Sequence, residues 1–216
     1  MHITVDILSD TICPWCYIGK RRLEAALASV DAAVTAELRW HPFQLNPDMP
    51  AGGMSRKRYV ALKFGGPERG RSIYRNIADV ARTSGLEIEF DRITRTPNTL
   101  DSHRLLVHAQ RADLQNEVVE ALFAAYFLEG RDIGAVDVLT DIGEAAGLGR
   151  AETERYLLSD TDRAQVIESD SRARGAGASG VPHFVINGKL AVAGAQEPQV
   201  FRNVFAVVLA RSEHRA

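Results

Sequence analysis

Residues 9–17, Ser9-Asp10-Thr11-Ile12-Cys13-Pro14-Trp15-Cys16-Tyr17, hold both cysteines of the chain, with two residues between them. Upstream, Ile3, Val5 and Ile7 alternate with polar or less apolar neighbours, which predicts a half-buried strand over residues 2–8. From Pro14 the period changes. Cys16, Gly19, Leu23, Leu27 and Val30 recur every three or four residues, so they share one stripe of a helix whose first turn accepts a proline without losing a hydrogen bond. The cysteine pair therefore lies at a strand-to-helix junction. Residues 37–43 (ELRWHPF) read as a second strand, ended by the turn-prone residues 46–53, and the opening is a βαβ unit.

Downstream the pattern is helical. Residues 69–84, 99–112, 116–129, 137–146, 150–158 and 161–174 are expected to form helices, the third burying Val119, Leu122, Phe123, Tyr126 and Phe127. Val181 to Ile186 and Leu190 to Ala193 read as short strands around Asn187-Gly188, a strong hairpin signal. Pro198 opens a last helix with Phe201, Val204, Phe205 and Val208 inward. The run Gly175 to Gly180 matches G-x-G-x-x-G, but it follows a helix and enters a strand, the reverse of the context in which helix amides hold a pyrophosphate. A nucleotide role is discounted.

The formal net charge of -2 supplies no global reason to bind nucleic acid or an anionic membrane. No apolar run approaches the roughly 20 residues needed to span a bilayer, and the amino terminus lacks a cationic stretch followed by an apolar block. The expectation is a soluble, cytoplasmic protein without nucleic-acid or membrane partners. Two cysteines cannot form a scaffold of several disulfides, and in a reducing compartment the pair is either redox-active or half of a metal site.

A structural zinc ion takes four Cys or His ligands. His2, His41, His103, His108, His183 and His214 would have to converge from distant segments to complete the set, so no metal is expected. A proline-started helix tip is also a poor place to hide an inert thiol. Redox activity is the better reading. Cys13 is expected at the free, positive end of the helix, exposed and favoured as a thiolate, with Cys16 covered behind it to resolve a mixed disulfide. Pro14 and Trp15 carry no charge, which predicts weaker thiolate stabilisation than a histidine before the second cysteine would give. Lys20, Arg21 and Arg22 read as a solvated helix face. Asp6 and Glu24 are the nearest acids weighed for proton transfer from Cys16.

Cys13-Pro14-Trp15-Cys16 after a strand, with Ser179-Gly180-Val181-Pro182-His183-Phe184-Val185-Ile186-Asn187-Gly188 and Gly194-Ala195-Gln196 far downstream, closely resembles the DsbA-like thioredoxin-fold oxidoreductases. The particular likeness is to their FrnE-like branch, itself similar to 2-hydroxychromene-2-carboxylate isomerases and kappa-class glutathione transferases. It runs through essentially the whole chain and includes residues 39–47 (RWHPFQLNP) and 97–104 (PNTLDSHR). The resemblance implies an α/β thioredoxin fold interrupted by a helical insertion: residues 1–50 as the βαβ part, 51–174 as a helical lid and 175–216 as the ββα part. It also implies a cis peptide at Val181-Pro182 beside the cysteines, where Val181 would offer backbone hydrogen bonds to an extended substrate. Asn98, Thr99 and His103 would face the cleft. The residues alone allow blander readings: Val181-Pro182 as a strand start, Asn98 or Thr99 as a helix cap, His103 as a satisfied or surface histidine. Trp15 either stacks on substrate or covers Cys16.

The expected function is dithiol–disulfide exchange with protein or peptide substrates, with Cys13 and Cys16 catalytic and with Pro14, Trp15, Val181, Pro182, Asn98, Thr99 and His103 lining the substrate site. No cofactor is required, and glutathione is a candidate co-substrate. The first rival is a glutathione-dependent isomerase or transferase on the same fold. Those relatives commonly have serine at the position of Cys13, a pattern from which this chain departs. A chaperone with regulatory thiols and a biosynthetic tailoring role are further alternatives.

Overall fold

The computed structural model describes the backbone of residues 1–213 and the side chains of residues 1–210, so His214 lies outside the described residues. Strand β1 (His2–Ser9) is central, with Ile3, Val5 and Ile7 fully buried on one face. Helix α1 (Pro14–Leu27) follows, then β2 (Thr35–Pro42), which lies parallel to β1 from His2↔Thr35 to Ser9↔Pro42. Near the other end of the chain, β5 (His183–Ile186) pairs antiparallel with β1, placing Ile7 opposite Phe184, and β6 (Leu190–Ala193) completes the order β2-β1-β5-β6. Asn187 and Gly188 both take positive φ, 49° and 66°, the geometry of the hairpin turn their sequence predicts. The Asn187 side chain also accepts the Thr4 amide at 2.7 Å, fastening the turn to β1. Helix α9 (Pro198–Glu213) turns Phe201 and Phe205 into the core.

Between β2 and β5 lie β3 (Met54–Ser55), α2 (Arg56–Phe64), α3 (Pro67–Arg82), a 3-10 turn (Phe90–Arg92), β4 (Arg95–Thr96), α4 (Leu100–Gln110), α5 (Gln115–Phe127), α6 (Val136–Ala145), α7 (Arg150–Leu158) and α8 (Arg163–Gly175). The fold is a thioredoxin fold carrying helices between its two halves. Two elements escape sequence periodicity: α2, which buries only Tyr59, and the β3-β4 pair, whose strands are two residues each. In the motif at residues 97–104, Arg104 is a structural residue. It is fully buried, and its guanidinium donates to the carbonyls of Tyr156, Leu157 and Ser159 at the end of α7.

One apolar cluster joins the sheet to the inserted helices, including Ile3, Ile18 and Phe184 together with Leu105, Phe123 and Phe127. Helix α1 sits between the two. Its Tyr17 ring stacks on Phe123 at 5.0 Å and Phe127 at 6.1 Å. This placement corrects the expectation of a solvated basic face: Lys20 is 2% exposed and Arg22 7% exposed. Burying these stems is tolerated because every charge is met. Lys20 pairs with Glu24 at 2.5 Å and Glu120 of α5 at 2.8 Å, and Arg22 with Glu197 at 2.7 Å. Only Arg21 keeps substantial exposure, and it too pairs with Glu120 and Glu24. Among the described residues no helix is long and apolar enough to cross a membrane.

Candidate active site

At the end of β1 the chain makes a turn in which the Cys13 amide donates to the Asp10 carbonyl at 3.0 Å. Cys13 then stands as the N-cap of α1 in extended conformation, Pro14 fills the first helical position, and the Cys16 amide donates to the Cys13 carbonyl at 3.0 Å. Proline suits this place, since first-turn amides have no partner within the helix. Both cysteines are free thiols on one short segment. Burial pushes the Cys16 thiol well above its ordinary range. The neighbouring Cys13 sulfur raises it further, and the Ser9 side chain and Asp10 backbone offset this in part.

The Val181–Pro182 peptide is cis, and the Cys13 thiol points at the Val181 carbonyl oxygen at 3.8 Å. The loop is held from both sides. The Gly194 amide donates to the Pro182 carbonyl at 2.8 Å. On the helix side Gly19 leaves room for the ring: a Cβ there would stand 3.0 Å from Pro182 Cγ and 3.1 Å from Phe184 Cζ.

Exposure of Cys13 is not observed: it is 3% exposed and Cys16 is 1% exposed. The helix tip is free of its own helix but not of its neighbours. The Val181 loop lies on one side, and the start of α4 on another, where the Thr11 and Ser102 hydroxyls meet at 2.7 Å, both buried. Because Ser102 donates to the Thr99 carbonyl at 2.8 Å, Thr11 is the donor to Ser102. Tyr59 of α2 is also buried. Its phenol is raised chiefly by burial, against the lowering effect of Asn46 and Arg56.

The other expected site residues fall into two groups. Trp15, 38% exposed, presents its indole at the helix tip. Asn98 is tied down locally, its amide donating to the Met49 carbonyl at 2.6 Å and its oxygen accepting the Leu100 amide at 2.9 Å. Thr99 is buried as the N-cap residue of α4, with no side-chain capping bond. His103 is 1% exposed and stands 3.4 Å from Asp10. The acids weighed for proton transfer lie elsewhere, Asp6 against His41 at 2.8 Å and Glu24 against Lys20. The carboxylate at the site is Asp10, fully buried, with Oδ2 accepting the Leu45 amide at 2.7 Å. In sequence Asp10 reads as an ordinary turn-opening residue. Nothing local shows that residues 45 and 103 converge on it.

The chain is 27% identical over 207 residues to the uncharacterized protein YwbO of Bacillus subtilis (strain 168), covering 95% of this chain and 97% of the other. A probable DsbA oxidoreductase from Streptomyces coelicolor superposes with a TM-score of 0.85 at 28% identity, over 97% of this chain and 91% of that one. The cytosolic disulfide reductase DsbM from Pseudomonas aeruginosa gives a TM-score of 0.68 at 22% identity over 96% of this chain and 98% of that one, a likeness of fold. Residues 4–206 match the DSBA-like thioredoxin domain. With a dithiol at the first helix tip of a thioredoxin sheet, the chain belongs to the DSBA-like thioredoxin domain family of disulfide oxidoreductases.

Proposed function

We propose that this protein exchanges disulfides with protein or peptide substrates through Cys13 and Cys16. The observation that carries the reading is the pair of free thiols with Cys13 facing the Val181 carbonyl at 3.8 Å. An extended substrate would displace that thiol contact and pair with the Val181 backbone, as chains added to an exposed edge do. Cys13, as thiolate, attacks one sulfur of the substrate disulfide. A mixed disulfide forms, and the other substrate sulfur leaves as a thiolate that takes up a proton. Cys16 then loses its proton and attacks Cys13, releasing the second substrate thiol and leaving a Cys13–Cys16 disulfide. Two electrons have passed to the substrate. Two molecules of glutathione, as co-substrate, would return them and leave as oxidised glutathione. In a cytoplasmic setting, reduction or isomerisation is the favoured direction, since the surroundings keep thiols reduced.

The test uses insulin as the disulfide substrate. Wild-type protein should release insulin chains, and Cys13→Ser should abolish the turnover. Cys16→Ser should stop after one attack and accumulate a protein–insulin mixed disulfide that dithiothreitol releases. If Cys16→Ser keeps full turnover of a glutathione conjugate and never captures insulin, the protein is a glutathione-dependent isomerase or transferase instead.

A further inference from the structure

Asp10 and His103 are 0% and 1% exposed, yet their polar atoms are only partly satisfied. Asp10 Oδ2 has the Leu45 amide, whereas Oδ1 and both ring nitrogens of His103 have no hydrogen-bond partner. Oδ1 and His103 Nε2 stand 3.4 Å apart, near enough for attraction but outside hydrogen-bond alignment. Burying such groups half-paired is unfavourable, so packing alone does not account for them. Among the described residues His103 is the ion-pair partner of Asp10.

Their position is informative. Asp10 opens the turn that ends in Cys13, closed by the amide-to-carbonyl bond of 3.0 Å, and such a turn holds its first and last Cα atoms within about 7 Å. Thr11, inside that turn, donates to Ser102, the neighbour of His103, so the turn that ends in Cys13 is joined to the start of α4. The other side chains joined across this spot, Thr11 and Ser102, are neutral.

We propose that Asp10 and His103 are positioning residues that set the reactivity of the dithiol: the Asp10 carboxylate opposes negative charge on Cys13, and the His103 ring offsets that carboxylate. The inference deepens the exchange reading and rests on it for its biological meaning. The pair gives and takes no electrons. It acts by altering how readily the Cys13 sulfur carries charge before it forms the bond to a substrate sulfur, and it is unchanged afterwards.

The test reads the rate of Cys13 alkylation by iodoacetamide at pH 7 in a Cys16→Ser background. Asp10→Asn should react about tenfold faster and His103→Gln about tenfold slower, with the double variant near the parent, as expected of a nearby charge and its compensation. With both cysteines present, Asp10→Asn should shift the equilibrium against glutathione toward the dithiol. His103→Gln should shift it toward the disulfide, each by about tenfold, or about 30 mV. A loosened fold would move both variants in one direction. Shifts of the same sign, or none beyond twofold, overturn the proposal. Should Asp10→Asn fail to fold, His103→Gln decides alone, and a rate at or above the parent overturns it. Insulin turnover separates the two readings: turnover intact with unshifted variants refutes only the pair's role. Opposite shifts in a protein that cannot reduce insulin refute only the exchange reading.

Discussion

Cys13 and Cys16 are separated less by exposure than by what surrounds each sulfur. Cys16 is 1% exposed in the first turn of α1, and burial, reinforced by the Cys13 sulfur, pushes its thiol well above the ordinary range. Cys13 caps the helix and faces a loop carbonyl. Since the thiolate is the reactive species, reduced protein treated briefly with N-ethylmaleimide at pH 7.5 should carry label on Cys13 at least about tenfold over Cys16. Unfolding in urea should equalise the two. Peptide mass spectrometry reads the ratio, and equal labelling in the folded protein would refute the assignment of Cys16 as the silent, resolving thiol. The placement of both thiols at a helix start was readable from two cysteines three positions apart. The burial of Cys13 was not, because the Val181 loop it faces lies 168 positions away, and no local pattern connects it to residue 13.

Helix α1 faces the Pro182 loop through Gly19, a contact that makes register between two elements a matter of one hydrogen atom. Alanine is the better helix former by about 1 kcal/mol, but its Cβ would press on Pro182 Cγ at 3.0 Å and Phe184 Cζ at 3.1 Å. Both neighbours are ring atoms, and Phe184 is fully buried against Phe201 at 4.9 Å, so neither yields easily. Overpacking of this kind costs about 1–3 kcal/mol. Gly19→Ala should therefore lower stability by about 1 kcal/mol in urea titration and slow insulin reduction several-fold, because the helix that carries Cys13 is pushed off the Val181 loop. A more stable variant with unchanged turnover would show that the helix has slack here. The strands and longer helices were legible in sequence because each buries one clear face, as β1 does with Ile3, Val5 and Ile7. Helix α2 buries only Tyr59 and so carries no stripe to read. Lys20 and Arg22 misled for the opposite reason: α1 is covered on two sides, and their partners Glu120 and Glu197 lie about a hundred or more positions away.

Across the whole molecule, the order of βαβ, helices and ββα was visible in the chain, but not that both parts share one core, since that depends on side chains meeting over long separations. Tyr17 of α1 stacks on Phe123 and Phe127 of α5, and the same two helices are clamped by Glu120. Glu120 accepts from Tyr17 at 2.9 Å and pairs with Lys20 at 2.8 Å and with Arg21. Burial alone would raise its carboxyl, but Lys20, Tyr17 and Arg21 outweigh burial and hold it below the ordinary value of 4.5. A carboxyl lowered in the folded state stabilises the fold above its unfolded pKa. That contribution is lost as pH falls from about 4.5 through the folded value. Glu120→Gln should thus cost about 1–2 kcal/mol at pH 7, less than the loss of a wholly buried pair because Lys20 keeps Glu24 and Glu120 is itself partly exposed. The difference between variant and wild type should shrink toward zero below pH 4. With the core continuous from Ile3 to Phe127, both proteins should unfold in one transition seen alike by far-ultraviolet circular dichroism and tryptophan fluorescence. A variant that unfolds in two steps would mean that the Glu120 clamp, and not the shared apolar core, makes the inserted helices and the thioredoxin sheet one cooperative unit.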